Sequence, residues 1–137
     1  MSWPQRFMEL ARLVASWSKD PSTKVGAVIT DSNNRIVSVG YNGPPRLTAD
    51  SSVVDRDEKL LRTLHAEENA ILFGGDVAGC TLYVTHPPCA HCAAVMIQAG
   101  IANVVWAEPK DMEFSARWQH SHGVALRMLA EAGVRHP

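Results

Sequence analysis

The chain has 137 residues, of which 46% are hydrophobic and 20% charged, and its net charge is −1 at pH 7. These values are ordinary for a globular protein, and they predict a single domain over residues 1–137. The chain has no Lys/Arg cluster, so we expect no nucleic-acid partner and favour a small-molecule substrate. Because no signal peptide or membrane-length apolar run is visible, we expect a cytoplasmic protein with no membrane contact.

The first part of the chain predicts a helix followed by a β-hairpin. Ser2 suits an N-cap and Pro4 suits the first turn, while Pro21 cannot continue the helix. Strands at 25–29 and 36–40 flank a turn-rich linker, and the polar stretch 46–56 predicts a surface loop. The buried face of the helix is expected to contain Phe7, Leu10, Ala11, Val14 and Trp17.

Helices and strands alternate along the rest of the chain. One helix, continuous or broken near Thr63, is expected from Asp55 or Asp57 to Gly74. Strands at 80–85 and 102–107 enclose a helix that begins at Cys89, a last helix spans 115–132, and residues 134–136 suit a short final strand. This order predicts an α/β sandwich whose last strands are parallel, because helices connect them. The apolar face of the first of these helices is expected to contain Leu60, Leu61, Leu64, Ala70, Ile71, Leu72 and Phe73.

Cys89 and Cys92 give the clearest chemical signal. Two cysteines with two residues between them suit a tetrahedral Zn²⁺, and His65 upstream supplies a third ligand. Three protein ligands leave the fourth position open, which is typical of a catalytic zinc. A structural zinc with His86 or His91 as fourth ligand is the less favoured alternative. The third cysteine, Cys80, lies in an apolar run and predicts a buried, inert thiol, and the pattern indicates a reducing compartment.

Glu67 follows His65 by two residues, and we interpret it as a proton carrier beside the zinc-bound water. It would accept a proton from that water and pass it to a ring nitrogen and then to the departing amine, which is hydrolytic deamination. The pattern H-x-E followed by P-C-x-x-C is the signature of zinc-dependent nucleobase deaminases.

Four segments, at residues 20–29, 40–43, 65–71 and 88–92, together resemble the deoxycytidylate (dCMP) deaminase family. The resemblance covers residues 5 to 134. It implies a three-layer α-β-α sandwich of the cytidine deaminase type with a mixed sheet of about five strands. It also implies a homo-oligomer, either a dimer or a hexamer, that converts dCMP to dUMP for thymidylate synthesis. In such an enzyme zinc would be held by His65, Cys89 and Cys92, with Glu67 as the proton shuttle.

The resemblance also implies contacts with the substrate. Asn42 is similar to the asparagine that contacts the sugar hydroxyl, although an asparagine beside a glycine also suits a turn. Ala66 belongs to the His-Ala-Glu motif and is included among the substrate-binding residues. A 5′-phosphate is expected to meet cations and hydroxyl or backbone donors. Our candidates for that role are Ser22, Thr23, Lys24 and Arg46.

One departure from the family concerns residues 44–64, which contain no Cys and no His. Many dCMP deaminases carry a longer insert here, with ligands for a second, structural zinc. We therefore expect one zinc per chain and little effect of dCTP on the enzyme. Trp3, Trp17 and Trp118 suit either an oligomer interface or the core.

Three alternatives to a dCMP deaminase stay open from the sequence. In the first alternative, the enzyme acts on another small substrate, such as cytidine, guanine or a modified cytosine nucleotide. In the second, it acts on tRNA adenosine or single-stranded DNA cytosine, which the near-neutral charge disfavours. The last alternative is a non-catalytic zinc-binding module, and Glu67 counts against that.

Overall fold

The structure is a computed structural model and describes residues 1–108 and 115–137. Within those residues there are four strands and five α-helices, together with a short 3₁₀ turn at Ser51–Val53. The strands are β1 (Gly26–Thr30), β2 (Ile36–Tyr41), β3 (Thr81–Val84) and β4 (Asn103–Trp106). The helices are α1 (Trp3–Ala15), α2 (Arg56–Arg62), α3 (Ala66–Leu72), α4 (Ala90–Gln98) and α5 (Ala116–Ala132).

The strands form one mixed sheet in the order β2-β1-β3-β4. β1 runs antiparallel to both β2 and β3, whereas β3 and β4 are parallel, as predicted from the helix between them. The described residues contain four strands, and the prediction was about five. The expected strand at 134–136 is a single parallel bridge between Asn103 and Arg135, because only Arg135 exchanges backbone hydrogen bonds with this edge.

Alternating side chains place the two faces of the sheet against different helices, which confirms the α-β-α sandwich. Val28 and Tyr83 point to α1 and pack there with Phe7, Met8 and Ala11. Their neighbours on the strands point to the opposite face and form the larger core with α3, α4 and α5. That second set comprises Ala27, Ile29, Leu82, Val84, Val104 and Trp106.

The helix α1 begins at the predicted cap and ends earlier than its apolar pattern suggested. Ser2 forms a capping box with Gln5, and the helix ends at Ala15. Trp17 therefore lies beyond the helix, and its side chain is 50% exposed instead of belonging to the buried face. Ala15 takes the buried position instead.

The stretch between the hairpin and β3 folds as two short helices, which resolves the alternative of a break near Thr63. The predicted apolar face is wrong at four positions, because Leu60, Leu61, Leu72 and Phe73 are 59%, 89%, 65% and 71% exposed. In α2 the buried side chain is Lys59, whose ammonium group donates a hydrogen bond to the Asp20 carboxylate. The leucines of α2 consequently point outward.

Gly40 brings α3 close to the sheet. A Cβ at that position would lie 2.5 Å from the Ala66 carbonyl oxygen and from the Ala70 nitrogen, so a larger residue would push α3 away. Gly40 therefore helps to fix the depth of the helix that follows His65. Across the part of the chain that the structure describes, no helix is long and apolar enough to span a bilayer.

Candidate active site

Three metal-binding side chains meet where α3 and α4 begin. His65 is the N-cap of α3, and Cys89 is the N-cap of α4, with its Sγ accepting the backbone N–H of Cys92 at 3.4 Å. The Nδ1 of His65 lies 3.1 Å from Cys92 Sγ and 3.6 Å from Cys89 Sγ. Residues that are 27 positions apart in the chain thus place one nitrogen and two sulfurs together.

The three donor atoms fit a zinc ion. Zinc bonds of about 2.0–2.3 Å in a tetrahedral arrangement separate neighbouring ligand atoms by roughly 3.5 Å, close to the spacing observed here. Among the described residues, the cluster has three members and no fourth His, Cys, Asp or Glu. The two histidines considered as a fourth ligand have other partners: His86 Nδ1 lies 2.9 Å from the Thr85 hydroxyl, and His91 pairs with Glu68.

Hydrogen bonds among the same three groups shift their pKa values. Hydrogen bonds from the Cys92 thiol and from His65 lower the pKa of Cys89 to about 4, so Cys89 is a thiolate. The hydrogen bond to Cys89 raises the pKa of His65 to about 9. The hydrogen bond between Cys92 and Cys89, together with burial, raises the pKa of the Cys92 thiol. A metal ion that binds here displaces these protons, as metal ions do at thiol and imidazole ligands.

Glu67 lies in the first turn of α3, and its side chain is 5% exposed. Burial raises the pKa of Glu67 to about 7, so the carboxyl group exchanges a proton near neutral pH. This is the pKa expected of a group that must first accept a proton and then release it. Glu67 and His65 both line the same cavity, which has a volume of about 310 Å³.

That cavity brings together most of the residues predicted for the site. Ser22, Thr23, Asn42 and Ala66 line it with His65 and Cys89 of the metal cluster, whose third member, Cys92, lies behind them. The lining also includes Arg56, Lys59, His86 and Trp118. Lys24 and Arg46, predicted as phosphate ligands, are placed elsewhere. The ammonium group of Lys24 donates to the Ser18 carbonyl oxygen, and Arg46 lines a separate groove beside Tyr41.

A buried ion pair shapes one end of the cavity. Lys59 Nζ lies 3.1 Å from Asp20 Oδ1 and donates to Ser22 Oγ at 3.1 Å. Asp20 Oδ1 also accepts the backbone N–H groups of Ser22, at 2.8 Å, and Thr23, at 3.1 Å. Burial alone would raise the pKa of Asp20, but these backbone donors and the Lys59 ammonium outweigh it and hold that pKa below its usual value.

Asn42 has a structural role beside the cavity. Its Oδ1 accepts the Val25 N–H at 2.8 Å, and its Nδ2 donates to the Thr23 carbonyl oxygen at 2.8 Å. The side chain therefore holds the segment that carries Ser22 and Thr23 against the end of β2. Since an amide can donate twice and accept twice, Asn42 keeps one donor and one acceptor position for a ligand.

Arg56, Lys59 and Trp118 were not among the residues predicted for the site, and His86 was predicted only as a less favoured zinc ligand. Arg56 and Lys59 are three residues apart, so they lie on one face of a helix shortly before His65, a spacing that the sequence displays. Trp118 stacks on His122 one turn further along α5, with ring centroids 5.1 Å apart. Burial lowers the pKa of His86, so its ring is neutral at pH 7.

Comparison with known proteins supports this description. Residues 1–108 match the family described as the cytidine and deoxycytidylate deaminase zinc-binding region. The chain is 54% identical over 134 residues to an uncharacterized deaminase in the luxG 3′ region of Aliivibrio fischeri, covering 96% of this chain and 90% of that protein. It is 43% identical over 119 residues to human deoxycytidylate deaminase, covering 80% and 67% of the two chains.

A solved structure agrees with the observed fold over nearly the whole chain. It is the dCMP deaminase of cyanophage S-TIM5 in complex with dCMP and dUMP, with a TM-score of 0.80 and 26% sequence identity. The match covers 97% of this chain and 93% of the phage chain. The chain therefore belongs to the zinc-binding cytidine and deoxycytidylate deaminase family, and it is an enzyme of the hydrolase class.

Proposed function

We propose that this protein hydrolyses dCMP to dUMP and ammonia. The observation that carries the proposal is that the His65, Cys89 and Cys92 cluster and the buried Glu67 adjoin one cavity, which His65, Cys89 and Glu67 line together with the two cations Arg56 and Lys59. The first four groups suit a deamination, and the cations suit a substrate with a phosphate group. Human deoxycytidylate deaminase and the phage dCMP deaminase, both similar to this chain, agree with that substrate.

His65, Cys89 and Cys92 would hold a zinc ion, which would lower the pKa of a water molecule so that it can attack the ring carbon that bears the exocyclic amine. Glu67 takes the proton released from that water and delivers it to the adjacent ring nitrogen. It then transfers the second water proton to the exocyclic nitrogen, which leaves as ammonia while the carbonyl group of dUMP forms. A pKa of about 7 allows Glu67 to act in both directions near neutral pH.

The phosphate is bound, in this proposal, at the end of the cavity formed by Lys59, Arg56, Ser22 and Thr23. Lys59 already neutralises Asp20, so the more exposed Arg56 provides the net positive charge there. The hydroxyls of Ser22 and Thr23 add neutral donors. Asn42 and Ala66 line the same cavity. In this proposal they contact the nucleoside part of the substrate.

We further propose that a single domain comprising residues 1–137 works as a homo-oligomer, either a dimer or a hexamer. Leu61, Leu72 and Phe73 expose large apolar side chains, which an interface between copies would cover. We place the enzyme in the cytoplasm, where its free thiols stay reduced and dUMP enters thymidylate synthesis. We expect no nucleic-acid partner.

The test is ammonia release from dCMP, CMP, deoxycytidine, guanine and adenosine by the zinc-loaded protein, with zinc-loaded Glu67→Gln protein as the blank. We expect dCMP to have the highest kcat/KM. A higher kcat/KM for guanine or adenosine would overturn the pyrimidine assignment, and equal values for dCMP and deoxycytidine would overturn the nucleotide assignment. Activity only on tRNA or single-stranded DNA would replace the proposal with a nucleic-acid deaminase.

A further inference from the structure

Glu68 contacts both of the segments that carry the metal-binding side chains. It lies in the first turn of α3, three residues after His65, and its Oε1 accepts the backbone N–H of His65 at 3.0 Å. Its Oε2 lies 3.1 Å from Nε2 of His91 on α4. Because an ionised carboxylate only accepts hydrogen bonds, Nε2 of His91 carries the hydrogen in this contact.

His91 is placed between the two cysteines, in the first turn of α4. One carboxylate group therefore connects the backbone of one metal-binding residue to the turn that holds the other two. The side chain of Glu68 is 19% exposed, whereas that of His91 is 68% exposed. The hydrogen bond between Glu68 and the mostly exposed His91 ring is therefore open to water, which weakens its contribution.

The placement of the two helix starts decides whether the donor atoms meet. His65 has extended backbone angles as the N-cap of α3, and the Glu68 carboxylate satisfies its N–H, which keeps that conformation. The Nδ1 of His65 then lies 3.1–3.6 Å from the two sulfurs of α4. A shift of α3 against α4 would change both distances together.

We propose that Glu68 is a positioning residue of the zinc site, which holds the starts of α3 and α4 at the separation that zinc requires. Glu68 is absent from the described lining of the cavity, in which its neighbour Glu67 takes part, so it acts through His65 and His91 and not on the substrate. Carboxylates that orient metal ligands from outside the coordination sphere typically change metal affinity about 10–100-fold when they are removed.

The experiment measures zinc retention and needs no substrate, so its result is independent of the dCMP assignment. Zinc-loaded wild type, Glu68→Ala, Glu68→Gln and His91→Ala are mixed with the chromogenic chelator 4-(2-pyridylazo)resorcinol, and the rate of zinc transfer is recorded. Glu131→Ala, which removes an exposed glutamate from α5, is the matched control. The thermal midpoint of each protein is also measured with zinc bound and after zinc removal.

We expect Glu68→Ala to release zinc about 10–100-fold faster than wild type. His91→Ala should release it faster by a smaller factor, and Glu131→Ala should match the wild type. We expect the gap in thermal midpoint between zinc-loaded and stripped protein to narrow for Glu68→Ala. A purely structural role would lower both midpoints equally and leave the transfer rate unchanged, which would overturn the proposal. If Glu68→Ala does not fold, zinc transfer within twofold of wild type for both Glu68→Gln and His91→Ala would overturn it.

Discussion

Lys59 Nζ and Asp20 Oδ1 are 3.1 Å apart, although 39 positions separate the two residues in the chain. Both side chains are buried, and the contact joins α2 to the segment that carries Ser22 and Thr23. The segment that carries the Ser22 and Thr23 hydroxyl groups is therefore fixed in place before a substrate enters. Arg56, one turn earlier on α2, lines the same cavity.

The first prediction concerns recognition of a phosphate by Arg56. We expect Arg56→Ala to lower kcat/KM for dCMP by about 10–100-fold, mainly through KM, because a charged hydrogen bond contributes roughly 1.5–3 kcal/mol. The slow reaction with deoxycytidine should hardly change, since that substrate has no phosphate. Arg46→Ala is the control, because Arg46 lies in the separate groove beside Tyr41, and it should leave both reactions unchanged. The reverse result, a loss in Arg46→Ala only, would place the phosphate elsewhere.

The second prediction concerns acid stability. The pKa of Asp20 is lowered in the folded protein, so its stabilising contribution is present above the unfolded-state value of about 4 and is lost as the pH falls through the folded value. We expect Asp20→Asn to lower the free energy of unfolding by about 3 kcal/mol at pH 7, because Lys59 remains buried without its counter-charge. The difference from wild type should shrink below about pH 4.

Urea unfolding from pH 3 to pH 7 checks this second prediction. Asp57→Asn, which removes an exposed carboxylate from α2, is the matched control and should show a difference below about 0.5 kcal/mol at every pH. A constant deficit of Asp20→Asn across the whole range would mean that its ionisation does not matter.

Local patterns explain why the sequence predicted so much of the fold and the metal cluster. The cap at Ser2 and the proline before Cys89 act within a few residues, and a C-x-x-C places two sulfurs together on its own. His65 was predicted to join them from the H-x-E motif, and the structure confirms that grouping. Contacts between distant segments that carry no such motif were not predictable in this way.

The pair of Asp20 and Lys59 is the clearest case of what the sequence does not display. A lysine among leucines reads as an exposed charge on an amphipathic helix, and only the tertiary fold reveals the carboxylate that lets it be buried. Because Lys59 takes the buried position of α2, Leu60 and Leu61 are exposed, contrary to the prediction. The predicted strand at 134–136 does not form, because only Arg135 reaches the edge of the sheet.

The third prediction concerns the metal. We expect one tightly bound zinc per chain, because the described residues contain one cluster of three suitable ligands and residues 44–64 contain no Cys or His. Cys92→Ser should lose zinc and activity together, whereas Cys80→Ser, which is not a member of the ligand cluster, should keep both. Elemental analysis of the purified proteins measures the number of zinc ions per chain. Two zincs per chain in the wild type, or none in active protein, would contradict the prediction.

The fourth prediction concerns assembly. We expect light scattering at micromolar concentration to give a multiple of the single-chain mass. Phe73→Ser should shift the protein towards monomer, because its exposed apolar ring is then replaced by a polar group. Leu13→Ser, which changes an exposed apolar residue on α1 at the other face of the sheet, is the comparison. A monomeric wild type would contradict the prediction at once.

The last prediction tests Glu67 as the proton carrier. Glu67→Gln keeps the size and burial of the side chain and leaves the three metal-binding residues in place, but an amide cannot carry the proton from water to the ring and the amine. We expect kcat on dCMP to fall by about 10²–10⁴-fold, while zinc content and the thermal midpoint stay near the wild-type values. Glu58→Gln, an exposed change on α2, should keep full activity. Turnover by zinc-loaded Glu67→Gln near the wild-type rate would show that another group moves the proton, whereas loss of zinc in that variant would assign Glu67 to holding the metal site together.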